Sequence, residues 1–304
     1  MTSSPGWELY RSFLAVLQEG SLSGAARALG LTQPTIGRHV SALEQALDLS
    51  LFTRSAAGLQ PTESALALRE DAELMQSTAA ALERAARGLG QAVQGAVRIS
   101  ASEVMGVEVL PPILSELQAQ HPQLEIELVL SNRVQDLLRR EADIAVRMTV
   151  PRQEALLATR VGEVPLGLHA HRRYLAQHGM PQSLVELAGH RLIGYDQETP
   201  FLRAASARLN LPAWSRERFA ARCDSDLGQL ALLRAGAGIG ICQIALARRD
   251  PELVQLFPQQ FSMALESWVV MHAGLRRSPR CRVSFDALVQ GLRAYMQQPQ
   301  APAT

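Results

Sequence analysis

The sequence predicts an α/β protein with unlike ends: an N-terminal winged helix-turn-helix, a long linker helix, and a C-terminal two-lobed, doubly wound domain. Three observations predict it. Residues 7–61 hold three short helical patterns followed by a hairpin pattern, residues 62–92 keep a seven-residue apolar repeat, and strands alternate with helices beyond residue 93. A chain of 304 residues also exceeds one ordinary core. The expected boundaries are 1–61, 62–92 and 93–296. The last divides into lobe I (about 93–163 and 267–296) and lobe II (about 164–266), and the Pro- and Gln-rich tail 297–304 is expected to be disordered.

Leu9, Phe13, Val16 and Leu17 recur at helical spacing, and Gly20 ends this first helix. Ser21 can cap a second helix, Leu22 to Leu29, in which Ala25 and Ala26 permit close packing. Gly30 and Leu31 form the turn. Thr32 caps the third helix, and Pro34 sits in its first turn, where a missing N–H does no harm. Ile36, Val40, Leu43 and Leu47 define a buried stripe on that helix. Opposite stand Pro34, Thr35, Arg38, Ser41 and Gln45, with Gln33 at the tip, the layout of a helix that reads a major groove. Gln33 can pair with a base edge, Thr35 can meet a thymine methyl, and Arg38 can reach guanine or phosphate. A plain solvated helix face would look the same, so the following hairpin matters. Leu51 to Thr53 and Leu59–Gln60 read as two strands about a turn at Ser55 to Gly58. They form a wing with Arg54 at its base, either touching phosphate or simply solvated.

The run GSLSGAARALGLTQPTIGRHVSALEQALDLSLFTRSAAGLQPTESA closely resembles the N-terminal signature of LysR-type transcriptional regulators. The match spans the second helix, the turn, Gln33-Pro34, Arg38, Leu43-Glu44 and the Leu51-Phe52-x-Arg54 wing. The resemblance implies a sequence-specific, DNA-binding regulator whose activity responds to a small-molecule effector. It implies that Gln33, Pro34, Thr35, Arg38 and His39 face operator DNA beside the cap Thr32, with Arg54 on the backbone. Two residues depart from the family. Gly37 replaces the usual serine, removing a potential DNA contact and weakening the helix by roughly 1 kcal/mol, and His39 replaces the common glutamine.

Pro61 stops the wing, and Thr62 caps a helix expected to run to about Gly88, roughly 40 Å at about 1.5 Å per residue. Leu68, Met75, Leu82 and Leu89 repeat every seven residues, as do Ala65, Ala72, Ala79 and Ala86. A seam of Leu68, Ala72, Met75, Ala79, Leu82 and Ala86 is expected to pair two subunits; the alternative is packing on its own domain. The family pairs this helix between subunits, which implies a dimer and, by precedent, a tetramer built from two dimers. Pairing also answers a charge problem. In the first sixty residues Arg11, Arg27, Arg38 and Arg54 only balance Glu8, Glu19, Glu44 and Asp48, so phosphate contacts must be doubled by repetition.

Beyond residues 90–95, strands are expected at Val97 to Ser100, Leu124 to Leu130 and Asp143 to Arg147, with helices at Val109 to His121 and Val134 to Arg140. A second set follows: strands at Leu166 to Ala170, Arg191 to Gly194 and Arg218 to Arg222, a helix at Leu227 to Ala235, and a strand at Ile239 to Gln243. Glu266 to His272 reads as a returning strand and Val283 to Tyr295 as a closing helix. Such lobes place a ligand cleft at the carboxyl ends of their strands. The resemblance implies the same two-lobed form, like periplasmic binding proteins, carried by GAVRISAS, LEIELVLSN, ADIAVRM and LLRAGAGIGIC. Placement nominates Ser100 and Ser102 before a helix, Ser131 and Asn132 after the second strand, and Arg147 and Thr149 after the third. Tyr195 and Phe201 can wall the cleft from lobe II, where Ser225 caps a helix. Arg147 suits the carboxylate of a small organic anion; alternatively it neutralises Glu103 or Asp224.

Composition narrows the rest. Apolar residues make up 47% and charged residues 19%, a globular balance, while a net charge of +1 argues against an indiscriminate nucleic-acid coat. Cys223, Cys242 and Cys281 form no CxxC pair, which suits a reducing cytosol, and thiol sensing by the first two ranks below packing. No export signal or spanning segment is read, so a cytoplasmic location is expected. Gly236-x-Gly238-x-Gly240 follows a helix and precedes a strand, the wrong order for a dinucleotide loop. His169 and His171 lack a third ligand, so no metal or other cofactor is expected, and no nucleophile or acid–base constellation suggests an enzyme. A transport-type binding protein, an enzyme using the cleft and an architectural DNA binder are the rival readings. The expected partners are operator DNA, the effector and further copies of the chain, with RNA polymerase as a candidate and no membrane.

Overall fold

The computed structural model describes residues 4–55, 58–87, 92–132, 142–151, 156–198, 203, 214–261 and 263–297. The side chains of 54, 55, 58, 84, 85 and 87 lie outside the described set. The expected helix Val134 to Arg140, Phe201, Leu89, the Arg54 side chain and the tail beyond residue 297 therefore lie outside it too. The described residues divide into two compact units, one ending at Ala86 and one beginning at Arg87.

In the first unit, α1 (Trp7–Glu19), α2 (Leu22–Leu29) and α3 (Gln33–Leu47) pack on one another. Gly20 and Gly30 end α1 and α2 at φ 67 and 65, the left-handed region that residues with a side chain rarely adopt. The Ser21 hydroxyl accepts from the Gly24 N–H, as an N-cap should. Phe13, Leu14, Leu43 and Leu51 fill one core, and Val16, Ala25, Ala26, Ile36 and Val40 another. The wing pairs β1 (Phe52–Ser55) with β2 (Gly58–Pro61), Arg54 opposite Leu59. Both strands reach further toward the turn than the sequence indicated, and Leu51 precedes β1 rather than opening it. The base of the wing is Phe52 opposite Pro61, and Arg54 stands nearer the turn. Pro61 closes β2 at its end, a strand position that needs no further ladder N–H.

Helix α4 (Glu63–Arg87) follows, with Thr62 capping the Ala65 N–H. Its first turns are not a free seam. Ala65 and Ala72 are buried against Phe13, Leu14, Leu43 and Leu51, and Leu68 packs there as well. Leu68 and Ala72, expected at a subunit interface, are thus used inside the chain, because α4 crosses its own helical core before projecting away. Met75, at 39% exposure, and Leu82, at 72%, remain open, as does Ala86, while Ala79 is half-buried.

In the second unit a single sheet runs β4–β3–β5–β11–β6–β9–β7–β8, with β10 also on β6. Its strands are β3 (Gly95–Ala101), β4 (Leu124–Leu130), β5 (Ile144–Arg147), β6 (Leu156–His171), β7 (Leu192–Gly194), β8 (Phe219–Arg222), β9 (Ile239–Gln243), β10 (Leu253–Leu256) and β11 (Met263–His272). β3 pairs in parallel with β4 and β5, as βαβ connections require. The lobes are therefore not separate sheets. β6 and β11 run antiparallel from Leu156 opposite His272 to Leu166 opposite Met263, with a bulge at Ser267/Trp268, and carry the chain from one lobe to the other. The sequence pattern indicates β6 only from Leu166 to Ala170, whereas the strand starts ten residues earlier and runs through Gly162 and Pro165. Sequence reading also missed β10 and the short helices α6 (Arg172–His178) and α8 (Ile244–Ala247).

Lobe I is cored by Val97, Ile99, Leu110, Leu114, Ile144, Val146, Phe285 and Leu288 beneath α5 (Leu110–Gln120) and α9 (Pro279–Met296). Lobe II has cores around Leu168, Tyr174, Leu192 and Phe261, and around Ile193, Leu230, Leu233 and Leu246 under α7 (Asp226–Arg234).

Candidate nucleic-acid interface and effector site

On α3 the two faces are cleanly divided. Ile36 and Leu43 are wholly buried and Val40 nearly so, while Gln33, Pro34 and Arg38 are exposed and Thr35 is half-exposed. The open face is ordered by its own hydroxyls. Thr32 Oγ1 lies 2.8 Å from Thr35 Oγ1 and accepts from the Thr35 N–H, and an Arg38 guanidinium nitrogen donates to Thr35 Oγ1 at 3.5 Å. Thr35 thus aims Arg38 outward. His39 is half-buried and its Nδ1 lies 2.8 Å from the buried Ser12 hydroxyl, so only Nε2 is left for an external partner. Glu44 does a job that sequence reasoning did not assign: its Oε1 accepts from the N–H groups of Leu51 and Phe52, at 2.7 and 3.2 Å, pinning the entry to the wing against α3.

The residues nominated from lobe I lie at or just beyond the carboxyl ends of neighbouring strands. The Ser131 N–H bonds the Ala101 carbonyl, so the ends of β4 and β3 adjoin. Arg147, only 7% exposed at the end of β5, donates to Ser100 Oγ at 3.1 Å and to the Val146 carbonyl at 3.2 Å. Ser102 is half-buried and Thr149 exposed. From lobe II, Ser225 caps α7 through the Gly228 N–H and donates its hydroxyl to Glu103 at 2.6 Å. Asn132 accepts from the Glu103 N–H and donates to Asp226 at 3.2 Å, and the Tyr195 hydroxyl also donates to Asp226. Burial raises the Asp226 carboxyl above its usual range, with the Glu103 charge adding to the effect. Burial, then the Asp226 charge, likewise raises the Tyr195 phenol, so it stays protonated and donates.

A second junction joins the lobes. Arg234 on α7 grips Glu108 with two nitrogens, at 2.6 and 3.2 Å, and Arg249 donates to the Glu108 carbonyl at 2.7 Å. The Arg234 hydrogen bond lowers the Glu108 carboxyl against the opposing effect of burial. Tyr295 on α9 donates to Gln243 at the end of β9, and the Arg249 guanidinium stacks over the Tyr295 ring. These pairs were invisible in the sequence, since Glu108 and Arg234 are 126 residues apart. Burial pushes the Cys242 thiol up to about 12, which makes it a poor nucleophile.

Residues 7–66 match the family model described as a bacterial regulatory helix-turn-helix protein of the lysR family, and residues 90–293 match the LysR substrate binding domain. The chain belongs to the LysR family. It is a DNA-binding transcriptional regulator with an effector-binding domain. This LysR-type regulator is 28% identical over 286 residues to the HTH-type transcriptional regulator CrgA of Neisseria meningitidis, covering 92% of this chain and 95% of the relative. The solved structure of CrgA, at 25% identity, superposes with a TM-score of 0.58 over 96% of this chain and 99% of that one. Full-length CbnR complexed with its target DNA shares the fold at a TM-score of 0.66 and 20% identity, over 95% and 99% of the two chains. Among the described residues of the regulator, no helix is long and apolar enough to cross a membrane.

Proposed function

We propose that this LysR-type regulator docks α3 in the major groove through Gln33, Pro34, Thr35 and Arg38, with Thr32 and His39 at the margins and Arg54 on phosphate. The observation that carries this reading is the division of α3: its apolar stripe is buried while Thr35 and Arg38 are held outward by their own hydrogen bonds. A dimer paired through Met75, Ala79, Leu82 and Ala86 presents two such faces, and two dimers form the tetramer. Its place is the cytoplasm beside the promoter, where RNA polymerase is within reach. A footprint over one inverted repeat, resisting excess random DNA, is the expected result; uniform protection would instead favour an architectural binder.

The effector site lies where Ser100, Ser102, Ser131, Arg147 and Thr149 meet Tyr195 and Ser225. The ligand is a small organic anion whose carboxylate takes Arg147 and the Ser100 hydroxyl. Phe201, expected in the same wall, lies outside the described residues. The Glu103–Ser225 and Asn132–Asp226 bonds span the lobes, so a ligand that replaces them changes the relative energy of the two lobe arrangements. Only this difference in affinity can shift promoter binding. We read the site as one that binds without turnover, because its carboxylates are engaged in bonds between the lobes rather than poised beside a nucleophile.

A further inference from the structure

A second site lies at the other end of lobe I. Between Glu266 and Asp286 the sequence has no acidic residue but holds Arg276, Arg277, Arg280 and Arg282. In the structure Arg276, Arg277, Ser278, Pro279, Arg282 and Val283 line a cavity of about 550 Å³. All three lining arginines are exposed, and among the described residues their one ion pair is a loose contact from Arg282 to Asp286 at 4.0 Å. Ser278 is the N-cap of the 18-residue helix α9, yet its side chain makes no cap bond. Its hydroxyl oxygen is buried, with no hydrogen-bond partner among the described residues. An N-cap serine with an unused hydroxyl, at the positive end of a long helix, is a donor awaiting an acceptor. Buried Arg280 donates to the carbonyl of Ala96, near the start of β3, and Met271 pairs with Ile144, the first residue of β5. The cavity is therefore at the amino ends of the lobe I strands, while the effector residues are at their carboxyl ends, about 10–20 Å away along the strands at about 3.3 Å per residue.

We propose that this cavity is a phosphate-binding site, separate from the effector cleft, that takes a phosphomonoester of mononucleotide size. Guanidinium forks match phosphate oxygens bidentately, and the helix end adds favourable potential. A volume within the usual range for small-molecule sites exceeds the need of a bare phosphate, and Pro279 and Val283 supply an apolar wall for the attached group. The same chemistry would accept a phosphodiester of the DNA backbone, so the experiment separates the two sources.

Full-length protein without DNA is titrated calorimetrically with AMP and with adenosine at low ionic strength. AMP is expected to bind at least tenfold more tightly than adenosine, with a tenfold or greater loss in Arg276→Ala/Arg277→Ala. Ser278→Ala, which removes a single oxygen, should lose severalfold. In parallel, affinity for random duplex DNA is followed against salt. An unchanged slope in the double variant assigns the site to a free phosphomonoester. Failure to bind AMP together with a slope reduced by about 2 assigns it to backbone phosphate. AMP binding that the variants leave intact, or no change in either arm, overturns the proposal.

Discussion

Adding one methyl group to α3 should stabilise this regulator, whereas adding the same group two turns earlier in the chain should destabilise it. Gly37 lies inside α3 with ordinary helical geometry, and a Cβ there would meet only Leu22 Cδ1, at 3.9 Å, an ordinary van der Waals contact. Gly37→Ala therefore removes the backbone entropy penalty of a helical glycine, worth about 0.8–1.0 kcal/mol, without steric conflict. Gly30 has nothing within 4 Å of its would-be Cβ, but it sits at φ +65. Gly30→Ala meets a purely conformational cost of about 1 kcal/mol or more in the left-handed region. Native-state hydrogen exchange on the full-length protein reads both changes at the α3 amides. Protection should rise about fivefold in Gly37→Ala and fall by a similar factor in Gly30→Ala, since about 1 kcal/mol of local opening energy is involved. Equal effects of the same sign in the two variants would refute the reasoning, because the backbone angle is what distinguishes the two sites.

Further outcomes are expected at other positions. Arg38→Ala should weaken operator binding and reduce its salt slope by about 1, measured by fluorescence anisotropy; unchanged affinity would remove Arg38 from the interface. Arg147→Ala should abolish the effector response while leaving basal DNA binding, and a normal response in a reporter assay would reject the anion site. Leu82→Glu, at an exposed position on α4, should shift sedimentation toward smaller oligomers. Ala72→Glu, at a position 2% exposed, should instead unfold the helical unit, seen as lost helix signal. His169 is buried with its Nδ1 2.9 Å from the Gly167 carbonyl, and burial lowers its pKa from 6.5 to about 4. A histidine with a depressed folded pKa contributes its full stability above 6.5 and loses it as pH falls toward 4. Lobe II should therefore lose about 2 kcal/mol between pH 7 and pH 5, and His169→Gln should flatten that slope in urea titrations. An equally steep slope in the variant would exclude His169 as its source.

Local information decided much of this protein. The three N-terminal helices and their caps follow from Ser21, Thr32, Gly20 and Gly30, whose chemistry acts within a few residues. Strands β4 and β9, whole from Leu124 to Leu130 and from Ile239 to Gln243, follow from short apolar runs between turn residues. The exposed polar face of α3 follows from helical periodicity alone, and the family signature lies within the same short-range pattern.

Tertiary structure decided what depends on residues far apart in the chain. A heptad pattern shows that α4 has an apolar seam, but not that Ala65, Leu68 and Ala72 spend it on Phe13, Leu14 and Leu43. Gly162 and Pro165 interrupt the strand pattern in the first part of β6, which pairing with β11 sustains. The bonds from Glu103 to Ser225, from Asn132 to Asp226 and from Glu108 to Arg234 join residues about a hundred positions apart, brought together by the β6–β11 crossing. Composition and spacing record which side chains are available; burial and pairing over that crossing settle which of them meet.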